Sequence, residues 1–400
     1  MPSPFELNLR HLRALPAIAA HGSLSRVAEV MGLSQPALTQ GLGKLERQLG
    51  LRLLDRRSDG VSLTGEGAVL AERSARAFDY LAASSRRLGR STRGFSHPEL
   101  LMTATQLQAF LHFCEAQSFS DASIRSGLSQ PAIHRAVRDL EQICAAALVE
   151  RRGRGVALTT AGRTMARGVR LAARELEAGL AEAQGHGADV DRISVGAMPL
   201  SRALLLPHAL AAFVEESPQT VIDVVEGSWR ELIEPLLDGI VDVTIGAIRE
   251  DPPAEIDQVP LFTDQLAVFA RAGHPLAGKK VGIDQLQSQP WVVGPVGTPL
   301  RTHWEALFDG GELPSVPIEC GSVMVIRGLL TQSDLLTLLS PDQVALELAT
   351  GMLVPIGGPW NQAVRTIGLS TRAGWRPTPR QGRLVELIKE AAAKTRLQEI

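Results

Sequence analysis

The sequence predicts a multi-domain protein of the α and α/β classes, with a helical first half built from one unit used twice and an α/β second half. Two observations predict this arrangement. The first is the run GLSQPALTQGLGKLE at residues 32–46, which returns as GLSQPAIHRAVRDLE at residues 127–141. The second is a change at about residue 192, where short apolar runs begin to alternate with amphipathic helices. The chain of 400 residues is long enough for about two to four domains.

The repeat extends well beyond that run. Residues 23–67 and 118–162 align without a gap and are identical at 18 of 45 positions, at a constant offset of 95 residues. A repeat of this length indicates a duplicated folding unit. A structural feature predicted for one copy is therefore expected in the other.

The first copy has the pattern of a helix-turn-helix followed by a wing. Ser23 can cap a short helix that Gly32 ends, because glycine readily adopts the left-handed backbone found after a helix. Ser34 can cap the next helix, with Pro36 in its first turn, where no backbone N–H is needed. The pair predicts a helix-turn-helix whose second helix enters the DNA major groove. The basic, strand-like stretch at residues 51–64 predicts a hairpin wing placed for phosphate.

The first copy resembles the N-terminal winged helix-turn-helix of LysR-type transcriptional regulators over the run SLSRVAEVMGLSQPALTQGLGKLERQLGLRLLDRRSDGVSLTGEG. The order SQPAL, LE, LG, L-DRR and LT-G within that run is specific to the family. The second copy matches as well, through SFSDASIRSGLSQPAIHRAVRDLE and LVERRGRGVALTTAG, whereas family members ordinarily carry one such unit. The resemblance implies a sequence-specific transcriptional regulator, here with tandem winged helix-turn-helix units.

We divide the first half into two winged units, each followed by a helix. The first unit is expected at residues 8–66, with a dimerisation helix and linker at 67–99. The second unit is expected at residues 100–160, with a second linker helix and a hinge at 161–191. In the family the helix after the wing pairs two subunits, and the resemblance implies that role here. The alternative is that this helix packs only on its own winged unit.

The residues predicted to contact DNA lie on the exposed face of each recognition helix and in each wing. Gln can pair with adenine and Arg with guanine in the major groove, and wing arginines can reach backbone phosphate. For the serines and prolines of this set, starting the helix is an alternative role. The predicted contacts are Ser34, Gln35, Pro36, Thr39, Gln40, Lys44, Arg56 and Arg57 in the first unit, and Ser129, Gln130, Pro131, His134, Arg135, Arg138, Arg151 and Arg152 in the second.

The two recognition helices are not equivalent. The first carries Gly41 and Gly43 in its interior, each costing roughly 1 kcal/mol relative to alanine. The second is followed by Ala145 where the first has its turn glycine, Gly50, which calls the geometry of the second wing into question. Two interpretations stay open: both units bind an extended DNA site, or one unit is a spacer or a dimerisation surface.

The second half alternates strands with amphipathic helices, which predicts a parallel sheet with crossover helices. This half resembles the effector-binding domain of the same family, which is similar to a periplasmic binding protein with two α/β lobes. We place the domain at residues 192–400, with lobe one at 192–263 and 364–395 and lobe two at 264–363. The resemblance implies a small-molecule effector bound between the lobes.

Effector contacts are expected where strands end and helix N-termini offer free N–H groups. In the family, positions that match Ser201 and Ser228 contact small acidic or aromatic effectors, and a plain helix cap is the alternative for each. Trp229 is either a pocket wall or a packing residue, and Arg301 either meets a ligand carboxylate or lies on the surface. The predicted pocket residues are Pro199, Leu200, Ser201, Gly227, Ser228, Gly246, Ala247, Gly294, Thr298 and Ser322.

The balance of charge changes at the same place as the predicted secondary structure. Residues 1–190 hold 24 Lys and Arg against 18 Asp and Glu, whereas residues 191–400 hold 17 against 25, so the first half suits a polyanion. The three cysteines have no metal spacing, and we expect buried free thiols in a cytoplasmic protein without a metal or another cofactor. Residues 1–10 lack the apolar core of a signal peptide, and no stretch reaches the ~20 apolar residues of a membrane span.

The sequence offers little sign of catalysis, since it has neither a Ser/His/Asp grouping around a nucleophile elbow nor a phosphate loop, and we expect no enzyme. The expected partners are double-stranded DNA, a small-molecule effector such as an organic or aromatic acid, RNA polymerase, and further copies in a homodimer or homotetramer. The alternative is a small-molecule-binding protein in which one or both helix-turn-helix units serve only dimerisation. The two DNA-reading units favour the regulator.

Overall fold

The structure of the protein is a computed structural model that describes residues 3–57, 60–88, 95–153, 155–185, 192–199, 205–308, 311–360 and 363–397. The chain forms two compact units, Met1–Asp189 and Val190–Ile400. The first is helical with two small hairpins, and the second is α/β. The predicted fold class is confirmed. Strands and helices are numbered in chain order below.

The first winged unit consists of three helices, a hairpin and a long trailing helix. Ser23 and Ser34 cap the second and third helices, since each hydroxyl accepts a hydrogen bond from a first-turn N–H, at 3.4 and 3.3 Å. The helices are α1 (Leu9–His21), α2 (Leu24–Val30), α3 (Gln35–Leu49) and α4 (Gly65–Leu88), and the hairpin joins β1 (Leu54–Arg57) to β2 (Gly60–Leu63).

The second winged unit repeats the same order of elements. Its hairpin has the same register as the first, because Val149 lies opposite Leu158 just as Leu54 lies opposite Leu63. The helices are α5 (Ala104–Ala116), α6 (Phe119–Ser126), α7 (Gln130–Cys144) and α8 (Thr160–Ala183), and the hairpin joins β3 (Val149–Arg152) to β4 (Gly155–Leu158).

The absence of a turn glycine does not change the second wing. Gly50 ends α3 with a left-handed backbone at φ 66°, and Ala145 ends α7 in the same region at φ 49°. Gln117 likewise takes a left-handed φ of 54° after α5, where the first unit has Gly22. The second unit therefore keeps the turn geometry with side chains that disfavour it by about 1–2 kcal/mol each.

Helices α4 and α8 pack against each other in antiparallel directions. Arg73 in the first half of α4 lies against Gly179 near the end of α8, and Ser84 near the end of α4 lies against Gly168. The trailing helix of the first unit is thus paired with the trailing helix of the second within one chain.

One hydrophobic core runs through both winged units. It joins residues of both helix-turn-helix units to α4 and α8, and includes Leu42, Leu81, Leu140 and Val169. Two short 3-10 helices add to the connection, since Pro4–Glu6 packs on α5 and α8 while Pro98–Leu100 packs on α4. The two winged units therefore form a single folded body.

Lobe one of the second unit is built on a five-stranded sheet. Its strands are β5 (Arg192–Ala197), β6 (Val221–Glu226), β7 (Val243–Ala247), β8 (Ile256–Gln265) and β14 (Val364–Arg372). Their order is β6-β5-β7-β14-β8, in which β5 is parallel to β6 and β7, whereas β14 is antiparallel to β7 and β8. The expectation of a parallel sheet is wrong for the β7–β14 and β14–β8 pairings, because β14 returns from lobe two in the opposite direction. It is also wrong for the three-stranded sheet of lobe two, which is antiparallel throughout.

Lobe two has a three-stranded antiparallel sheet in the order β12-β9-β13 and a parallel pair, β10 and β11. Its core includes Trp291, Trp304 and Phe308, whose rings meet edge to face with centroids 5.5 to 5.9 Å apart. The strands are β9 (Ala267–Arg271), β10 (Val292–Val293), β11 (Ile318–Glu319), β12 (Thr337–Leu339) and β13 (Leu353–Pro355).

The helices of the second unit pack on these sheets. The hydrophobic core of lobe one is separate from the hydrophobic cores of lobe two. They are α9 (Leu205–Glu216), α10 (Trp229–Leu237), α11 (Ile283–Gln287), α12 (Pro299–Ala306), α13 (Val323–Gln332), α14 (Ala345–Ala349) and α15 (Pro379–Leu397). The chain passes between the lobes from β8 to β9 and again into β14, so the two crossings lie side by side in the lobe-one sheet.

Candidate DNA-binding surface and effector cavity

A glutamate on each recognition helix holds the start of the wing. Glu46 Oε1 accepts hydrogen bonds from the backbone N–H groups of Leu53 and Leu54 at 2.8 and 3.2 Å. Glu141 Oε1 accepts from Leu148 and Val149 at the same two distances. Sequence reasoning missed this brace, although its signal is present: the Leu-Glu pair recurs at the same place in both copies.

A threonine and a glycine fix the junction between each wing and its trailing helix. Thr64 Oγ1 donates to the Arg52 carbonyl at 2.7 Å and accepts from the Gly67 N–H at 3.0 Å. Thr159 makes the equivalent bonds to the Ala147 carbonyl and the Gly162 N–H at 2.7 and 2.9 Å. A Cβ at either glycine would overlap a backbone carbonyl oxygen, so the LT-G motif is a packing requirement.

The first recognition helix, α3, presents its predicted DNA contacts on one surface. Ser34, Gln35, Pro36, Gln40 and Lys44 are exposed, and Thr39 is half-buried. Gln35 Oε1 accepts a hydrogen bond of 2.9 Å from the Ser25 hydroxyl on α2, which orients the amide at the start of the helix.

Glycine inside α3 has a structural reason at one position. A Cβ on Gly41 would overlap the imidazole of His11 on α1, so glycine allows the two helices to approach. Burial first, and the charge of Lys44 second, lower the pKa of His11. The second unit has Ala136 and Gln106 at the equivalent positions, so this contact is specific to the first unit.

The second recognition helix, α7, presents a more basic surface. Ser129, Gln130, Pro131, His134, Arg135 and Arg138 are all exposed. The His134 ring lies 5.1 Å from the Phe119 ring of α6 at an angle of 43°, which restricts its orientation. Two arginines stand where the first unit has Gln40 and Gly43, so the second helix is better suited to guanine.

The paired arginines end the first strand of each wing. Arg56 and Arg57 are the last residues of β1, opposite Val61 and Gly60. Arg151 and Arg152 are the last residues of β3, in the same register, and their side chains are exposed. The hairpin backbone therefore carries each pair next to the tip of its wing.

The second compact unit contains a cavity of about 540 Å³ lined by residues of both lobes. Lobe one contributes the loop after β5, the start of α10 and the loop after β7, and lobe two contributes the loop before α12 and the start of α13. Of the predicted pocket residues, Pro199, Gly227, Ser228, Ala247, Gly294 and Thr298 line this cavity.

The remaining predicted pocket residues lie elsewhere. Leu200 and Ser201 lie outside the described residues. Gly246 lies inside β7, where a Cβ would overlap Met198, and Ser322 caps α13 by accepting from the Val325 N–H. Neither of these two residues lines the cavity, although Gly321 and Val323 beside Ser322 do.

Three cavity-lining residues that sequence reasoning missed carry buried nitrogens in need of acceptors. Within the described part of the chain, Arg249 Nε, Gln343 Nε2 and Arg365 Nη2 are buried without a hydrogen-bond partner. All three are N–H donors, and buried donors are normally satisfied. These residues are far apart in the sequence and outside any motif, so no local pattern could have found them.

The two arginines among these three residues are held in place by their neighbours. Arg365 Nε donates to Asp264 at 2.8 Å, and the other oxygen of Asp264 accepts from the Ser340 hydroxyl at 2.7 Å. Trp229 lines the cavity. The Arg249 guanidinium lies over its ring, 5.6 Å from the centroid, so the ring stabilises this cation. Burial first, and the charge of Arg230 second, lower the pKa of Arg249.

Several hydroxyl and guanidinium groups predicted for the effector already have partners. Ser228 Oγ donates to Glu231 at 2.8 Å, as part of the cap of α10. Thr298 Oγ1 donates to the Pro295 carbonyl at 2.8 Å. Arg301 is paired with Glu305 and Glu319 at 2.7 and 2.8 Å and does not line the cavity. The capping alternative therefore accounts for the Ser228 hydroxyl. The Thr298 hydroxyl is likewise engaged at the start of α12, and Arg301 is held by its two salt bridges.

The cysteines divide between the two compact units. Cys114 and Cys144 are buried free thiols, and burial raises the pKa of Cys114 to about 12 and that of Cys144 to about 11. Cys320 is half-buried and lines the cavity, so the expectation of a buried thiol is wrong there. The first two thiols are held protonated and unreactive at neutral pH.

The family is decided by matches over both units. The model of the LysR substrate binding domain matches residues 186–393, which is more than half of the chain. The model of the bacterial regulatory helix-turn-helix protein, lysR family, matches twice, at residues 9–68 and 104–163. The chain is a LysR-type transcriptional regulator. It is thus a DNA-binding protein whose activity is controlled by a small-molecule effector in its two-lobed domain, in a family whose members oligomerise.

Two relatives match this LysR-type regulator over nearly their whole length. The HTH-type transcriptional regulator GalR of Pseudomonas putida is 32% identical over 391 residues, which are 96% of this chain and 97% of the relative. The SDS degradation transcriptional activation protein of a Pseudomonas species is 29% identical over 396 residues, 97% of each chain.

A solved structure supports the fold. ArgP from Mycobacterium tuberculosis has a TM-score of 0.61 at 17% identity and covers 72% of this regulator but 96% of its own chain. The part of the regulator that ArgP leaves uncovered is about the size of one winged unit with its helix. In the described ranges of the regulator, none of the helices is long and apolar enough to cross a membrane, and no group of three or more His, Cys, Asp or Glu side chains is placed to hold a metal ion.

Proposed function

We propose that this regulator reads DNA with both winged units, using the predicted contacts on α3 and α7 for bases and those in the wings for phosphate. The shared Ser-Gln-Pro start of the recognition helix and the shared glutamate brace support this proposal. Exposed polar residues such as Gln130 have no folding reason to persist in an unused copy. Both recognition helices therefore contact base edges, and the second carries the more basic surface.

The first test is a gel-shift titration of the full-length chain on the DNA upstream of its own gene. A variant that combines Gln40→Ala with Arg135→Ala is expected to lose sequence-specific binding, because one base contact is removed from each recognition helix. Unchanged specific binding in this variant would contradict these base contacts. Absence of specific binding by the wild-type chain would favour the alternative, in which the winged units only hold chains together and the protein binds small molecules.

The wings contact the DNA backbone through Arg56, Arg57, Arg151 and Arg152. Replacing a contacting arginine by alanine should weaken binding to all sequences alike and lower the slope of log affinity against log salt by about 1. Arg174→Ala is the matched control, since Arg174 lies on α8 beside Glu177, away from the wing. Slopes that are unchanged in all four wing variants would contradict the phosphate contacts.

We infer that the effector is a small organic acid, aromatic acids included, held in the cavity between the lobes. The observation that carries this inference is the set of three buried N–H donors without partners on Arg249, Gln343 and Arg365. An anionic acceptor would satisfy them, and a carboxylate matches a guanidinium in charge and geometry. The apolar walls, which include Trp229 and Ile326, suit the body of an organic acid.

The effector class is tested by thermal-shift titration with a panel of aromatic and short aliphatic carboxylates, each compared with its uncharged amide. Arg249→Gln should weaken binding of the active acid about tenfold or more, since a hydrogen bond to a charged group contributes roughly 1.5–3 kcal/mol. Arg301→Gln is the control, because this arginine is paired with Glu305 and Glu319 outside the cavity. The assignment would be contradicted if the amides bound as well as the acids, or if Arg249→Gln left the affinity for the active acid unchanged.

Ser201 and Ser228 remain proposed effector contacts with a smaller part. The Ser228 hydroxyl already donates to Glu231, so Ser228→Ala should reduce effector affinity less than Arg249→Gln does. DNA binding should survive in the Ser201→Ala, Ser228→Ala double variant while the response to effector falls. A normal effector titration in that variant would place the ligand away from both serines.

Regulation follows from a preference of the effector for one arrangement of the assembly, since a ligand shifts an equilibrium only by its differential affinity. We propose that the regulator acts in the cytoplasm as a homodimer or homotetramer and alters access of RNA polymerase to the promoter. Family membership supports this proposal. Sedimentation of the full-length chain with and without effector, followed by in vitro transcription from the bound promoter, tests it; transcription unchanged by saturating regulator and effector would contradict it.

A further inference from the structure

The two winged units are related by a local two-fold pseudo-symmetry that the contacts of α4 and α8 make visible. The repeat offset relates Arg73 to Gly168 and Ser84 to Gly179. Arg73 lies against Gly179, and the pair obtained by exchanging the units, Gly168 with Ser84, is also in contact. The two helices therefore hold equivalent positions in a two-fold arrangement made by one chain.

A second set of contacts obeys the same exchange. The offset relates Leu70 to Met165, and Leu70 lies against Gly179 while Met165 Sδ lies 3.7 Å from the Ser84 hydroxyl. Both pairs run from an early residue of one helix to a late residue of the other. The pseudo-symmetry thus extends along the helix pair.

Charge breaks this symmetry at the centre of the contact. Arg73 is 1% exposed, its Nη1 donates to Glu175 at 2.8 Å, and its Nε donates to Glu182 at 3.2 Å. Arg76 Nε also donates to Glu175, at 3.1 Å. Both of these arginines belong to α4 and both glutamates belong to α8, so the two helices are complementary and not interchangeable.

The same geometry excludes the two symmetric pairings. The residues of α4 that correspond to Glu175 and Glu182 of α8 in the repeat are Tyr80 and Arg87. If α4 paired with α4 of a second chain, the buried Arg73 would face a second arginine and no carboxylate. If α8 paired with α8, both glutamates would face Gly168 and no cation. A buried charge without its partner is strongly destabilising, so each symmetric pair is disfavoured relative to α4 with α8.

We propose that α4 and α8 of the same chain form the helix pair that family dimers make between chains, so that one chain presents two unlike recognition helices to a DNA site without two-fold symmetry. The continuous core through both units supports pairing within the chain. So do the two short 3-10 helices, because the one before the first unit packs on α5 and α8 and the one before the second unit packs on α4. The reading of DNA by both helices rests on the proposed function. The ligand is a B-form duplex with two different half-sites at fixed spacing, the second suited to contacts from Arg135 and Arg138.

The test uses complementary charge reversals in the full-length chain. One variant carries Arg73→Glu with Arg76→Glu, a second carries Glu175→Arg with Glu182→Arg, and a third combines all four substitutions, so that each reversed arginine again faces an opposite charge. Hydrogen exchange of α4 and α8 reports the pairing independently of DNA. Each of the first two variants should lose protection in both helices and lose DNA affinity about tenfold or more, and the third should recover both.

Mixing the first two variants separates pairing within a chain from pairing between chains. Between chains, the two carboxylates introduced on α4 of one variant could meet the guanidinium groups introduced on α8 of the other, and protection would return. Within a chain, no mixture restores it. The wild-type chain gives a second measurement that needs no substitution: its α4 and α8 protection should not change over about a hundredfold dilution.

Three results would overturn the inference: recovery in the mixture, loss of wild-type protection on dilution, or greater protection in the variant with Arg73→Glu and Arg76→Glu, which symmetric α4 pairing predicts. Failure of the proposed function gives a different result. In that case the hydrogen-exchange pattern stays as predicted, while the wild-type chain lacks sequence-specific DNA binding.

Discussion

The first winged unit and the second are braced by the same contacts at almost the same distances. Glu46 and Glu141 each accept two wing amides at 2.8 and 3.2 Å, and Thr64 and Thr159 each donate to a carbonyl at 2.7 Å. The hairpins also share their register. The two copies therefore share the side chains that form hydrogen bonds to backbone N–H and carbonyl groups.

The surfaces that face outward differ. Thr39 and Gln40 of α3 correspond to His134 and Arg135 of α7. The turns differ too, since Ala145 takes a left-handed backbone that glycine takes in the first unit. The hydrogen bonds to backbone groups therefore constrain each copy, whereas the recognition face carries no such constraint and has diverged.

The largest difference is expected in DNA affinity. Replacing His134 and Arg135 by alanine should weaken binding about a hundredfold, and replacing Gln35 and Gln40 about tenfold, because a bidentate base contact contributes about 1–3 kcal/mol and arginine adds charge. Fluorescence anisotropy at fixed salt measures both, with Arg174→Ala as the control. The footprints should shrink at separate segments. If one pair of substitutions leaves affinity and footprint as they were, that copy is structural.

An equal loss of stability is expected where the units are equivalent. A Cβ on Gly67 would overlap the Leu53 carbonyl, and a Cβ on Gly162 would overlap the Leu148 carbonyl. Alanine at either position should destabilise its own wing by about 1–3 kcal/mol, measured by urea unfolding and local hydrogen exchange. Gly65→Ala is the control, since its Cβ would meet no atom within 4 Å. A loss confined to one unit would show that the two wings are not braced alike.

Opposite changes in stability are expected at the turn that follows each recognition helix. Ala145→Gly should stabilise the second unit by about 1 kcal/mol, and Gly50→Ala should destabilise the first by a similar amount, because a left-handed backbone disfavours a Cβ. Thermal unfolding of both variants beside the wild-type chain measures the shifts. Destabilisation by both substitutions would mean that Ala145 is held by packing and carries no backbone strain.

The smallest difference is expected in the response to pH. Burial and Lys44 lower the pKa of His11, whose equivalent in the second unit is Gln106. The folded unit then binds this proton less readily than the unfolded chain, so stability is complete above the unfolded pKa of ~6.5 and is lost as pH falls below it. Hydrogen exchange at about pH 7.5 and 5.5 should show α3 loosening relative to α7. His11→Gln should abolish that difference; a difference that persists in the variant assigns it to another group.

Local patterns were sufficient to predict the winged units. Ser23 and Ser34 are residue types that favour helix starts, and both cap helices in the structure. The duplication supplies a second copy of each feature. The caps and wings therefore follow from short-range chemistry. The alternation of strands and helices likewise predicts the α/β class of the second half, whereas its division into two lobes is what the resemblance to the family's effector-binding domain implies. The alternation did not predict the antiparallel entry of β14, because strand direction there depends on the return of the chain from lobe two.

Long-range contacts could not be predicted in the same way. Arg73 has the appearance of a surface residue on a helix until α8 covers it with Glu175 and Glu182. Arg249 and Arg365 meet the same cavity from loops and strands far apart in sequence, whereas Ser228 and Thr298 lie at visible helix starts and are occupied by their caps. Hydroxyls near helix starts are easy to recognise in a sequence, and buried guanidinium groups are not.

The symmetry of the DNA site tests the central claim most directly. Selection of binding sites from random duplex DNA with the full-length wild-type chain should yield a consensus with two different half-sites at one spacing. Repeating the selection with His134→Ala and Arg135→Ala should change one half, and with Gln35→Ala and Gln40→Ala the other. A consensus in which the two half-sites at that spacing are identical, or one that depends on a single recognition helix, would contradict the claim that one chain reads an asymmetric site.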